Sequence, residues 1–194
     1  MILVLDRQHI GKPGRNDRGA CYAINGKMIY EVDITHLYIM ATKAEAERRG
    51  HRVVLIDSGW YGDRHKLACQ IARDNPGEMV VYYACHSNAG GGNYALFAYD
   101  ERSTLGKRLA AGLAHAMVAA DLPGVARVRA PHANHTEWAN CFHTIDGIYE
   151  GPANIAGCCL EPGFPDHPDH QWLATVAGAE KLAVVLVDGA EATL

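Results

Sequence analysis

MVVYYACHSNAGGG occupies residues 79–92, and its reading decides the fold. The first six residues, 79–84, are all apolar or aromatic, without the alternation of a half-exposed strand and short for a helix. Continuous runs of this kind are typical of strands buried on both faces, as in parallel sheets. The run ends in a histidine, an asparagine and three glycines, which favour neither strand nor helix.

Working outward, ILVLD (2–6), RVVLID (52–57) and IAGCCLE (155–161) are further short apolar runs. YALFAY (94–99) reads as another strand and VARVR (125–129) as a short one. Helical spacing fills the gaps. Ile34, Leu37, Tyr38 and Ala41 predict a helix over about 31–49, stopped by Gly50. A second covers about 63–73, closed by Asn75-Pro76-Gly77, and a third about 103–120, where Leu105, Leu109, Leu113 and Met117 recur every four residues. Leu173, Val176, Leu182, Leu186 and Val187 predict a last helix over about 170–187. CYAINGKMIY (21–30) is a hairpin pattern, because Asn25-Gly26 suits a type I′ turn. The expected class is therefore α/β: one domain with a mostly parallel, twisted sheet and helices on both faces. The stretch 130–154 reads as a long irregular loop, and such loops often carry function.

The totals name no partner. The chain has 194 residues, 48% hydrophobic and 21% charged, which is ordinary globular composition. A net charge of −4 leaves no basic footprint, so neither nucleic acid nor an anionic membrane is expected. The longest apolar stretches, such as LAVVLV at 182–187, are too short to span a bilayer. Met1 leads straight into ILVLD without a basic leader, so synthesis in the cytoplasm without a signal peptide is the expectation. None of the six cysteines forms a CxxC pair, and they read mostly as buried thiols.

Ligands of open α/β sheets gather at the carboxyl ends of the strands. That rule selects His9 after the first strand, His86 after 79–84 and Glu161 at the end of 155–161, with Glu31 opening the first long helix. Two histidines and a carboxylate are a common ligand set for catalytic zinc, which makes hydroxide available near neutral pH. A further carboxylate can shuttle a proton, so the composition suits metal-assisted amide hydrolysis. Each residue also has a plainer reading. The histidines can be hydrogen-bonded strand-end groups, Glu31 can favour a helix dipole, and Glu161 can be a turn residue before Pro162-Gly163. In 130–154, His132, His135, Cys141 and His143 read as a polar groove lining or as a second metal site. Trp138, Phe142 and Tyr149 there can stack on sugar or peptide, or simply pin the loop.

Taken in order, VLDRQHIGKPG, YEVDITHLYIM, CHSNAGGG and CCLEPGFPDHPDH resemble the zinc-dependent N-acetylmuramoyl-L-alanine amidases, the Amidase_3 family, over nearly the whole chain. The resemblance implies one zinc ion held by His9, Glu31 and His86, with Glu161 as the catalytic carboxylate. It implies peptidoglycan as substrate, cut at the amide between N-acetylmuramic acid and L-alanine. It further implies one catalytic domain over 1–194 with no separate wall-binding part, similar to a phage-type endolysin that acts on the wall after release. A bacterial wall-remodelling amidase, a zinc hydrolase of another amide and a non-catalytic wall binder are the alternatives. The chain departs from the family pattern in three places. Gln8 and Ile10 flank His9 where the family has glycines, and Tyr83-Ala84-Cys85 replaces its serine-isoleucine approach. Pro165-Asp166-His167-Pro168 replaces its Ser-Asn, with Asp169 retained. On this reading the glycines after His86 give an extended glycopeptide room to approach.

Overall fold

The computed structural model of the chain describes residues 1–122, 128–129 and 139–194, with the backbone alone for 128–129 and 139–143. In chain order the elements are β1 (Ile2–Arg7), β2 (Cys21–Ile24), β3 (Lys27–Tyr30), α1 (Glu31–Arg48), β4 (Arg52–Ile56), α2 (Tyr61–Asp74) and β5 (Val80–Cys85). There follow β6 (Ala95–Ala98), α3 (Thr104–Ala119), β7 (Val128–Arg129), α4 (Ala139–Tyr149), β8 (Ile155–Glu161), a 3-10 helix (Pro168–Ala174) and α5 (Val176–Glu191).

Six strands form one sheet in the order β4-β1-β5-β8-β6-β7. β4, β1, β5 and β8 run parallel, while β6 pairs antiparallel with β8 and parallel with β7. The mostly parallel α/β expectation is met. Alternate residues of the central strands enter two separate cores, as a pleat buried on both faces requires. Leu3, Leu5, Val81, Tyr83, Ala156 and Leu160 pack with side chains of α1, α3 and α5. Ile2, Val4, Val80, Tyr82, Ala84 and Cys159 pack with those of α2 and α4. β2 and β3 make a separate hairpin whose turn residues Asn25 and Gly26 have φ of 50° and 74°, the left-handed pair of a type I′ turn.

Two expectations are corrected. The stretch 130–154 is not wholly irregular, because it contains α4. Buried Ile145 and Ile148 give that helix an inward stripe, which the intervening Gly147 obscures in the sequence. The last helix is likewise not continuous over 170–187. Thr175 is extended (φ −118°, ψ 150°) and its hydroxyl accepts from the Gly178 amide at 3.0 Å, so it starts α5 and separates it from the 3-10 turn. His167 caps that 3-10 turn by accepting from the Asp169 amide. His132, His135 and Trp138 lie outside the described residues, as do the side chains of Cys141, Phe142 and His143. Of the cysteines, Cys69, Cys85, Cys158 and Cys159 are buried thiols, as read, while Cys21 is exposed. Among the described residues no helix is long and apolar enough to cross a membrane.

Candidate metal centre

His9, His86 and Glu161 follow or end β1, β5 and β8, three successive strands of the sheet. All three residues therefore meet at one carboxyl edge. In the β5–β8 register Cys85 lies opposite Leu160, and the His86 amide donates to the Leu160 carbonyl at 3.0 Å. His86 and Glu161 are consequently neighbours across that edge. Glu31 arrives from the hairpin side as the first residue of α1, its amide bonded to the Ala20 carbonyl at 2.8 Å.

The imidazole nitrogens His9 Nε2 and His86 Nδ1 stand 3.1 Å apart. Glu31 completes the triangle, with Oε2 3.1 Å from His9 Nε2 and Oε1 3.0 Å from His86 Nδ1. Among the described residues this is the one group of three such donors that comes together. Glu31 and His86 are buried, and the His9 side chain retains 18% exposure, so the cluster opens to solvent on the His9 side. Glu161 is buried at 6% exposure.

The surroundings fix each member in place. Backbone amides of Ala20 and Ser87 donate to Glu31 Oε2 and Oε1 at 2.9 and 3.1 Å. Gly19, with φ +68°, lets the chain pass directly over that carboxylate, since a Cβ there would sit 2.3 Å from Glu31 Oε2. Burial alone would raise the Glu31 carboxyl, but the two histidines outweigh it and hold Glu31 well below the usual carboxylate range. Tyr38 donates to the His86 carbonyl at 2.9 Å and Tyr22 to the Ser87 carbonyl at 2.8 Å, pinning the end of β5. Burial, followed by the charges of Glu31 and then Glu161, pushes the Tyr22 hydroxyl above its ordinary range, so it stays a donor. Glu161 thus acts on the same small volume as Glu31.

His9 is oriented by a residue that the sequence reading missed. Asp17 Oδ1 lies 3.2 Å from His9 Nδ1, and its other oxygen accepts from Lys12 Nζ at 2.5 Å. Burial works against the Asp17 charge, but Lys12, the Gly19 amide and His9 together lower its carboxyl to about 2. In sequence, Asp17 sits inside KPGRNDR, which looks like an ordinary solvated loop. Behind the loop, Arg64 from α2 donates to the carbonyls of Arg7, Ile10 and Gly59 and pairs with Asp6 of β1.

The same arrangement of elements exists in solved structures. No protein-family model and no curated protein matches the sequence. By structure, the chain is similar to Cwp6 from Clostridium difficile, with TM-score 0.75 and 19% identity over 100% of this chain and 29% of that one. It is similar to the N-acetylmuramoyl-L-alanine amidase AmiC2 of Nostoc punctiforme, with TM-score 0.69 and 18% identity over 97% of this chain and 94% of that one. It is also similar to the catalytic domain of the CD27L endolysin targeting Clostridia difficile, with TM-score 0.65 and 15% identity over 97% and 96%. The fold is that of the N-acetylmuramoyl-L-alanine amidases.

Within this amidase fold the chain has its own features. Gln8, beside His9, turns inward and bonds to Asp6 and to the Tyr82 hydroxyl, so it braces the loop in place of a flanking glycine. After His86, the amides of Gly90 and Gly91 donate to Asp166 Oδ2 at 2.8 and 3.0 Å. Phe164 packs under Gly92, and the buried His170 accepts from the Phe164 amide at 2.9 Å. The glycine segment is therefore held against the turn after β8. Asp169 is exposed.

Proposed function

We propose that this chain is a zinc-dependent amidase that hydrolyses the bond between N-acetylmuramic acid and L-alanine in peptidoglycan, with residues 1–194 as one catalytic domain. The convergence of His9 Nε2, His86 Nδ1 and the Glu31 carboxylate carries this reading. Their separations of 3.0–3.1 Å approach the edge of about 3.3 Å that ligands at zinc-bond lengths make in a tetrahedron. Their chemistry, two imidazoles and one ionised carboxylate, suits zinc and leaves a fourth position for water or substrate. When bound there, zinc would supply a polarised substrate carbonyl and a water acidic enough to attack near neutral pH.

The protein's own groups have distinct tasks. Asp17 keeps His9 in the tautomer that presents Nε2 to the cluster. Glu161, beside His86 but outside the triangle, accepts the proton of the attacking water and returns it to the leaving nitrogen. Wall lysis is the role we adopt, supported by the likeness to an endolysin catalytic domain.

The deciding experiment incubates purified protein with peptidoglycan and scores new L-alanine amino termini. Full removal of metal by a chelator is expected to abolish their release, and added zinc to restore it. Release that survives metal removal would overturn the zinc assignment; absence of L-alanine termini from the zinc-loaded protein would overturn the substrate. Asp17→Asn is expected to weaken zinc binding about 10–100-fold without unfolding the chain, measured by competition with a chromophoric chelator.

A further inference from the structure

The pairing between β5 and β8 continues past the edge of the sheet. The His86 amide donates to the Leu160 carbonyl at 3.0 Å, and two residues on the Asn88 amide donates to the Gly163 carbonyl at 2.9 Å. Beyond that, the Gly90 and Gly91 amides both donate to Asp166 Oδ2, at 2.8 and 3.0 Å. The segment leaving His86 is thus fastened along its length to the segment leaving Glu161, and the two together border the candidate metal centre.

The two sides of this fastening differ in stiffness. On the Glu161 side, Phe164 is buried and meets the Tyr94 ring edge-on, with centroids 4.7 Å apart. Its amide donates to the buried His170 at 2.9 Å, and its carbonyl accepts from the His167 amide at 2.8 Å. On the His86 side, residues 90–92 are glycines, and glycine has the most backbone freedom to lose. Gly92 lies flat on Phe164, where a Cβ would come within 2.5 Å of the ring. Gly90 and Gly91 have φ of 104° and 67°, values that residues with a side chain rarely adopt. Successive amides turned in this way form a nest for an anion, and the chain fills it with its own carboxylate.

We infer that Asp166 is a positioning residue: by filling the nest it holds residues 88–92 as a ready-made rim beside His86 and Glu161. The inference rests on the amidase reading for what the rim serves, a substrate that then has no glycines to order on binding. Fixing the backbone of one residue is worth about a factor of ten in an equilibrium, so even partial release of two glycines matters. The cost falls on substrate binding and not on the metal, because Tyr38 and Tyr22 hold the His86 and Ser87 carbonyls independently. Gly90, Gly91 and Asp166 are exposed, so the fold does not depend on their bonds.

Steady-state kinetics of the zinc-loaded protein on a soluble muramoyl peptide test the assignment. Asp166→Ala is expected to raise KM about tenfold with kcat, zinc affinity and melting temperature unchanged, and Asp166→Asn, which keeps a neutral acceptor, to fall between. Gly90→Ala opens the nest from the other side, since its Cβ meets no described atom within 4 Å and only the positive φ opposes it. It is expected to raise KM to the same extent, and the double variant Asp166→Ala, Gly90→Ala to be no worse than either single one. In the free Asp166→Ala protein, amide order parameters are expected to fall at residues 88–92 and to hold at Phe164. Unchanged KM, a loss confined to kcat, additive effects in the double variant or unchanged order parameters at Gly90 and Gly91 overturns the assignment. If the order parameters fall while the unmutated zinc-loaded protein releases no L-alanine termini from peptidoglycan, the positioning of the rim stands and the amidase reading falls.

Discussion

Replacing Glu161 with glutamine is expected to cut hydrolysis by about two to four orders of magnitude while leaving zinc content and melting temperature unchanged. The substitution keeps the shape of a side chain that is only 6% exposed. It removes the one property the mechanism needs, a carboxylate able to take a proton and give it back. Glu161 stands beside His86 in the β5–β8 register, and its charge contributes to raising the Tyr22 and Tyr38 hydroxyls. It therefore belongs to the centre without belonging to the donor triangle. Release of L-alanine termini, paired with metal analysis of the same sample, measures the effect. A Glu161→Gln protein with full activity would remove Glu161 from the mechanism; one that loses zinc would make it a ligand instead.

The second large effect is on stability. Arg64→Met is expected to lower the unfolding free energy by about 3–5 kcal/mol, since it strips a fully buried carboxylate of its cation. Arg64 and Asp6 are both at 0% exposure and are joined at 2.5 Å. The same guanidinium also holds the Arg7 and Ile10 carbonyls on either side of His9. Burial pushes the Asp6 carboxyl up, while Arg64 and Tyr82 pull it down, so the variant loses the strongest downward pull. A folded state that binds this proton more tightly than the unfolded chain gains stability as pH falls. The deficit is therefore expected to be largest near neutral pH and to shrink as pH drops through the raised Asp6 value toward about 4, the unfolded carboxylate value. Urea unfolding at pH 7 and pH 5 checks both points; a loss below about 1 kcal/mol at pH 7 would show that the pair does not brace the loop.

Much of the site was legible because its residues sit at strand ends. His86 follows and Glu161 ends an apolar run, and Glu31 follows a clear hairpin signal, so local pattern alone puts each at the end or start of an element. Asp17, Lys12 and Arg64 were not legible. Their meaning depends on partners 8, 5 and 58 residues away, and no periodicity encodes that. α4 was missed for a related reason: its two buried isoleucines show only against the sheet and α2 they pack upon.

The sequence by itself determined the alternation of strands and helices, the buried central strands and the residues delivered to their carboxyl ends. These follow from side-chain periodicity, a local property of the chain. Only the tertiary structure decided that β1, β5 and β8 lie side by side, which turns three distant residues into neighbours. It alone brought two imidazoles and a carboxylate to within 3.0–3.1 Å. Strand order and charge pairing depend on contacts between segments far apart in the chain, and the local pattern that builds each segment leaves those contacts open.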